Sequence, residues 1–307
     1  MTIRSFAKLT LVPDMQLFLQ QIVEGLASGA IYASLALALV LIYRATRIVN
    51  FAQGEMATLS AYFAWQLNQW GMPFWLSLII VAAVSFVMGA LVFRLIMRPV
   101  LGASDNTMVV VCIGLFVGFE AVALWFWGAD PHAFPRIFPD YAWTIGGVRL
   151  TANNLGILAT LCLLTVGLSA LFRYTRIGLA MRASAAEREK SPLVGIPVEN
   201  MLMLGWGLAA TVGFIAAALI APSLFLSPPM MVSVVIYALA AATLGGWDSL
   251  AGAIVGGLVV GIAESLCATF IGFIGTDLKV GVPFALMAII LLARPQGLFG
   301  TSAVIRA

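Results

Sequence analysis

Charge is what this chain has least of. Only 9% of its 307 residues are Asp, Glu, Lys or Arg, while 62% are hydrophobic and the mean hydropathy is +1.06. That balance excludes a soluble globular domain and puts the chain in a membrane. Sixteen basic against thirteen acidic residues leave a net charge of +3. No basic cluster is interleaved with aromatics, so a nucleic-acid partner is excluded. Histidine occurs once, at His132, where nothing nearby completes a metal site. Cysteine occurs three times, at Cys112, Cys162 and Cys267, each in an apolar stretch without CxxC or Cys/His spacing. They read as small core residues rather than a disulfide framework or a zinc site.

What is present is long uncharged sequence. Crossing about 30 Å of hydrocarbon takes about 20 apolar residues. Thirty-eight uncharged residues separate Glu55 from Arg94, and Gly71-Met72-Pro73 in their middle predicts a hairpin of two helices. Forty-eight more separate Glu199 from Asp248, interrupted at Pro222 and at Pro228-Pro229. Further runs cover Gln16 to Tyr43, Asn106 to Trp127, Leu155 to Phe172, Leu250 to Ile271 and, more briefly, Val280 to Ala293. The first follows Arg4 and Lys8 as a signal peptide would, yet it exceeds the roughly 7 to 15 apolar residues of a cleavable leader and is read as retained. The expected fold is all-α: a polytopic transmembrane bundle of eight or nine segments forming one domain over residues 1–307. Two segments, 48–64 and 280–293, either cross or dip in and return.

Positive loops stay cytoplasmic. The loop 173–199 carries Arg173, Arg176, Arg182, Arg188 and Lys190 and is placed inside. Nine crossings then put Arg44, Arg47, Arg94, Arg98, Arg294 and Arg306 inside as well, eleven basic residues against five outside. The N-terminus falls outside in this arrangement, against the preference of Arg4 and Lys8, and one re-entrant segment would reverse it. The outer loop 128–154, with Pro131, Pro135 and Pro139, is expected to be a short irregular cap.

Helices in lipid associate where small residues let backbones approach. Gly25 with Gly29, Gly114 with Gly118, Gly252 with Gly256 and Gly257 with Gly261 are such steps. Two polar stretches, Asn50-Phe51-Ala52-Gln53-Gly54-Glu55 and Leu244-Gly245-Gly246-Trp247-Asp248-Ser249, each precede a small-residue apolar helix. Matching interruptions in the two halves of a membrane chain point to an internal inverted repeat with a pathway at its interface. Ordinary hairpin turns are the alternative. Glu120 and Glu264 lie inside apolar segments, where an ionisable group costs about 2.5 to 3.5 kcal/mol at a helix centre. Glu264 shares a face with Gly257 and Gly261 and is expected to be buried in protein, whereas Glu120 stands off the face of Gly114 and Gly118. For both acids a hydrogen-bonded structural role and a pathway role stay open. In the inner loop, Ala180 to Lys190 reads as a short surface helix ended by Pro192, Gly195 and Pro197.

Seven motifs in register, from about Gln20 to Gly300, resemble the H-type permease subunit of bacterial branched-chain amino-acid ABC importers. They are Asn50 to Glu55; Arg173-Tyr174-Thr175-Arg176-Ile177-Gly178; Met181-Arg182-Ala183; Leu193-Val194-Gly195-Ile196; Leu244-Gly245-Gly246 with Ser249, Gly252, Gly256 and Gly257; Ile262-Ala263-Glu264; and Arg294 to Gly300. The resemblance implies a bacterial inner-membrane protein paired with a second, related permease. It also implies two cytoplasmic ATPase subunits on the inner loops and a periplasmic solute-binding protein outside. By the same likeness Arg182, Glu187, Arg188, Lys190 and Gly195 belong to the coupling element. Asn50, Phe51, Gln53, Gly54, Glu55, Glu120, Gly245, Gly246, Ser249 and Glu264 are assigned to the path. No cofactor is expected in this chain, because it lacks GxxxxGK[ST] and ATP would be held by the partner subunits.

The pattern departs from the family at Gln53 (usually His), Leu179 (usually Arg), Glu120 (usually Gln), Pro192 and Asp248 (commonly Gly). The added acidity opens the substrate to urea, short amides and other small polar solutes. An ion-coupled transporter working without ATPase subunits is the rival reading. An intramembrane enzyme is excluded by the lack of HExxH, of an aspartate-rich phosphate motif and of a Ser/His pairing.

Overall fold

The computed structural model describes residues 3–300 apart from Glu189, Phe273, Thr276 and Asp277, with backbone only for 3–14 and Asp105. Arg306 and the side chains of Arg4 and Lys8, used above for orientation, lie outside the described residues. The helices are α1 (Ile3–Thr46), α2 (Gln53–Gln69), α3 (Phe74–Val100), α4 (Asp105–Trp127), α5 (Ala152–Tyr174), α6 (Arg176–Ala186), α7 (Val198–Leu224), α8 (Met230–Gly245), α9 (Leu250–Phe270) and α10 (Gly281–Ala293). Six of them are long and apolar enough to cross a membrane: α3, α4, α5, α7, α9 and the Met15–Thr46 part of α1. The last four residues before Arg98-Pro99 and Phe93 itself open into a π-turn, Phe93–Met97. A widened turn suits the site, since Pro99 has no amide to donate back into the helix.

Helix α1 forms the centre. From Ala30 to Ile42 its side chains are buried almost without a break, against α9, α7 and α8. The α1–α9 crossing is the glycine seam expected from sequence. A Cβ on Gly25 or Gly29 would press on the backbone of Gly261, Ile262, Gly257 and Leu258, and one on Gly257 would overlap the backbone of Ala33. Gly252 and Gly256 do the same against Gly245 and Ala241 of α8. Gly114 and Gly118 are different: no described residue lies within 4 Å of a Cβ built on either, so among the described residues they form no seam.

Other sequence expectations need correcting. The outer loop is not wholly irregular. It holds an antiparallel pair, β1 (Ala142–Ile145) and β2 (Val148–Thr151), turned by Gly146 and Gly147, whose φ values of 60° and 85° are those a two-residue hairpin demands. A reciprocal pair of bonds between Gln20 and the Arg149 backbone, 3.2 and 2.7 Å, fixes this hairpin to α1. Helix α7 runs through Pro222 and breaks instead at Phe225, where φ is 61°. Pro222 has no amide to return to the Ala218 carbonyl, and the helix ends two residues later. Among the cysteines, Cys112 is buried, but Cys162 is exposed on the outer side of α5.

Candidate translocation path and basic face

Helix α1 ends at Thr46, and Arg47 takes a left-handed φ of 61°. Six residues then lead into α2 through a polar turn built by Asn50. Its Oδ1 accepts from the Ala52 amide at 3.1 Å, and its Nδ2 donates to Gln53 Oε1 at 3.4 Å. Gln53 opens α2 and donates from Nε2 to the carbonyl of Ala209, in the interior of α7, at 2.9 Å. Gly213 leaves the space that the Gln53 amide occupies, and Gly54 sits against Met231 and Val235 of α8. Asn50 and Gln53 are fully buried, while Phe51 is half-buried. The stretch is therefore not a solvated loop. It is a break in the helix path held inside the bundle by side-chain amides, which satisfy backbone groups that lipid cannot.

Two residues further, Glu55 is 1% exposed and neither carboxyl oxygen has a hydrogen-bond partner among the described residues. The half-buried Glu120 of α4 is the charge that acts on it. Tyr62, two turns along the same face of α2, is likewise buried, and its hydroxyl has no partner among the described residues. Two acids near the α2–α4 contact, with no basic partner among the described residues, are costly to hold in a core.

The second interruption lies at the basic end of the bundle. Helix α8 ends at Gly245, Gly246 takes φ of 102°, and Ser249 Oγ accepts from the Gly252 amide at 2.9 Å to cap α9. The segment 294–300 folds back onto this break. Leu298 and Phe299 donate to the carbonyls of Leu244 and Gly245 at 2.8 and 3.0 Å, and Gly297 and Gly246 meet backbone to backbone. Arg47 and Asp248 then join the ends of the two interruptions at 2.6 Å, with Tyr43 and Trp247 rings 5.1 Å apart beside them. Sequence reasoning chose both stretches and the last motif but not their contacts; the paired glycines were the available signal.

Glu264 stands apart from both. It is 7% exposed, accepts from the Tyr32 hydroxyl at 2.7 Å and lies 3.8 Å from Lys279, while Tyr237 stacks on Tyr32 at 4.5 Å. The residues assigned to the path thus occupy three places: the buried break with Glu55 and Glu120, the basic-end break, and the Glu264 cluster.

Helix α6 caps the basic end. Thr175 Oγ1 accepts from the Gly178 amide at 2.9 Å and starts the helix at Arg176, four residues earlier than helix propensity alone had placed it. The helix ends at Ala186 rather than Lys190, because Glu187 leaves helical backbone at φ −138° and ψ 79°. Part of the expected helix, Glu189, lies outside the described residues. Gly178, Met181 and Ser184 are buried. Arg182, Glu187, Arg188 and Lys190 are exposed, the middle and last acid–base partners Glu187 and Lys190 being 3.2 Å apart. Gly195 takes φ of 80°.

The family model for the branched-chain amino acid transport system permease component matches residues 21–291. The chain belongs to this family. The permease protein BraD of Pseudomonas aeruginosa, of a high-affinity branched-chain amino acid transport system, is 28% identical over 94% of this chain and 98% of its own length. LivH of Escherichia coli K12, of a system of the same description, is 28% identical over 92% of this chain and 96% of its own. The probable branched-chain amino acid permease LivH of Methanocaldococcus jannaschii is 27% identical over 92% of both chains. This permease-family chain is accordingly a multi-pass membrane protein and a transport component, and the similarity runs through both interruptions and α6.

Proposed function

We propose that the chain is the membrane permease subunit of an ABC importer in the bacterial inner membrane. With a second, related permease it forms a path for branched-chain amino acids or a related small polar solute such as urea or a short amide. The basic end faces the cytoplasm, two ATPase subunits dock there and hold the ATP, and a periplasmic solute-binding protein delivers solute at the hairpin end. Residues 1–307 act as one membrane domain. The six long helices, with α2, α8 and α10 as shorter segments, supply nine crossings related by an inverted repeat.

The seat of α6 is the observation that carries this reading. Its buried face lies under the inner ends of α1 and α7, and its charged face is left open, with Arg182, Glu187, Arg188 and Lys190 outward. A push on α6 would reach α7, and through the Gln53–Ala209 bond the start of α2. Alternating access then re-aims the helices around Asn50 to Glu55 and Gly245 to Ser249, with Glu120 and Glu264 flanking. Assembled complex in liposomes should hydrolyse ATP faster when receptor loaded with the transported solute is present. Replacing both Glu187 and Arg188 by alanine should weaken that dependence; unchanged coupling removes the docking assignment.

A second reading, an ion-coupled transporter acting alone, draws on Glu55, whose buried carboxyl has no partner among the described residues. Solute uptake by the purified chain without nucleotide would favour it and displace the first.

A further inference from the structure

At the hairpin end the bundle holds a cavity of about 460 Å³ that touches none of the residues assigned to the path. It lies between α1, the loop before β1, the hairpin and the first turn of α5, and Ala142 is the one apolar residue in its lining. Two acids and two bases share it: Glu24 and Asp140, Arg136 and Arg149. Arg136 and Asp140 pair with each other. Glu24 and Arg149 line the same cavity, and neither has an ion-pair partner among the described residues.

Gln20 keeps this acid and this base from collapsing onto one another. Its side-chain amide bonds both backbone groups of Arg149, which pins β2, and its Nε2 also donates to Glu24 Oε1 at 2.9 Å. That bond occupies one carboxylate oxygen of Glu24; the other oxygen and the Arg149 guanidinium are left to a ligand. One carboxylate and one guanidinium in a shared cavity complement a molecule that carries both a cation and an anion. The volume lies within the range of about 300 to 1,000 Å³ usual for small-molecule sites.

The order of the charges decides between two sources of such a molecule. Helix α1 runs from the hairpin end to the basic end, so Glu24 lies one turn, about 6 Å, deeper than Gln20, and Arg149 stands on the hairpin outside it. A zwitterionic lipid headgroup is tethered through its phosphate and holds its ammonium outward, which sets like charge against like. A free amino acid enters ammonium first and leaves its carboxylate to the arginine.

We propose that this cavity is an outer binding site for a small zwitterion, an α-amino acid, with Glu24 taking the ammonium group and Arg149 the carboxylate through a two-pronged contact. A neutral solute such as urea gains neither charge contact. The proposal rests on the importer reading for its placement, at the face where a receptor releases solute and ahead of the path at Asn50 to Glu55. It adds the charge class that the membrane subunit itself selects.

The test is equilibrium binding of radiolabelled leucine to the assembled complex in phosphatidylcholine nanodiscs, without receptor. Wild type should bind it saturably. Leucinol, which lacks the carboxylate, and 4-methylpentanoate, which lacks the ammonium, should each compete about tenfold or more weakly than unlabelled leucine. Glu24→Gln and Arg149→Gln should each weaken leucine binding by about tenfold or more. The first should also erase the penalty on 4-methylpentanoate and the second the penalty on leucinol. Both substitutions spare the hairpin, which Gln20 holds by its backbone, and a glutamine at 24 can still accept from Gln20. Binding that neither substitution alters overturns the proposal, as does a wild-type complex that binds no leucine. Weakened binding without that change of preference marks a structural effect and overturns it too. Displacement by glycerophosphoethanolamine as readily as by leucine assigns the cavity to a lipid headgroup instead. The importer reading fails separately: ATP hydrolysis by the same preparation that ignores loaded receptor rejects that reading whether or not leucine binds.

Discussion

Helices α1 and α4 carry the same pattern, two glycines four residues apart in an apolar run, and use it in opposite ways. In α1, Gly25 and Gly29 lie against the backbone of α9, and 89% of the most apolar stretch is buried. In α4, Gly114 and Gly118 meet nothing among the described residues, and only 11% of the corresponding stretch is buried. Hydropathy cannot separate the two, because lipid is as apolar as a protein interior. What separates them is the partner: α9 offers Gly257 and Gly261 at the matching height, and no helix among the described residues offers the like to α4. A small-residue step is therefore half of an interface, and its meaning depends on the other half.

The sharpest way to break this contrast is to fill the seam. Gly257→Leu should cost about 3 kcal/mol or more, because the neighbour is the Ala33 backbone and cannot yield. Thermal unfolding of the purified chain in detergent measures it, and a near-neutral result would dissolve the comparison. Next, Tyr32→Phe removes the donor to Glu264 across the same α1–α9 contact and should cost about 1–3 kcal/mol by the same measurement. Arg47→Ala should cost less than about 1 kcal/mol, since its pair with Asp248 is largely solvated, and a double-mutant cycle with Asp248→Ala isolates the coupling. Smallest of all, Gly114→Leu should change the stability of the isolated chain by no more than about 0.5 kcal/mol. A large loss there would mean that α4 packs against something in the chain after all.

Much of this arrangement was legible in the residues. Uncharged runs placed the long helices, the Gly71-Met72-Pro73 turn separated α2 from α3, and the face shared by Gly257, Gly261 and Glu264 foretold a buried acid. The hairpin at Gly146-Gly147 was missed although its turn residues were present, because the prolines upstream dominated the reading of the loop. The start of α6 was missed because a cap such as Thr175 outweighs propensity only when its own geometry is known. Beyond reach altogether were the long-range pairs: Gln53 with Ala209, Arg47 with Asp248, and the fold-back of Leu298 onto Leu244. Each joins residues far apart in sequence through a contact that neither local pattern encodes. The same holds for Glu55 and Glu120, which lie on different helices and whose shared neighbourhood no spacing rule reveals.

Helix α10 carries a consequence for the surrounding lipid. At 13 residues it spans about 20 Å, some 10 Å short of a typical hydrocarbon layer. It nonetheless presents Phe284, Ile289 and Leu292 outward. As a crossing segment it would make the acyl chains beside it shorten or splay, so that this edge of the molecule would favour thin bilayers and chain length in the host membrane would control how firmly the segment is held.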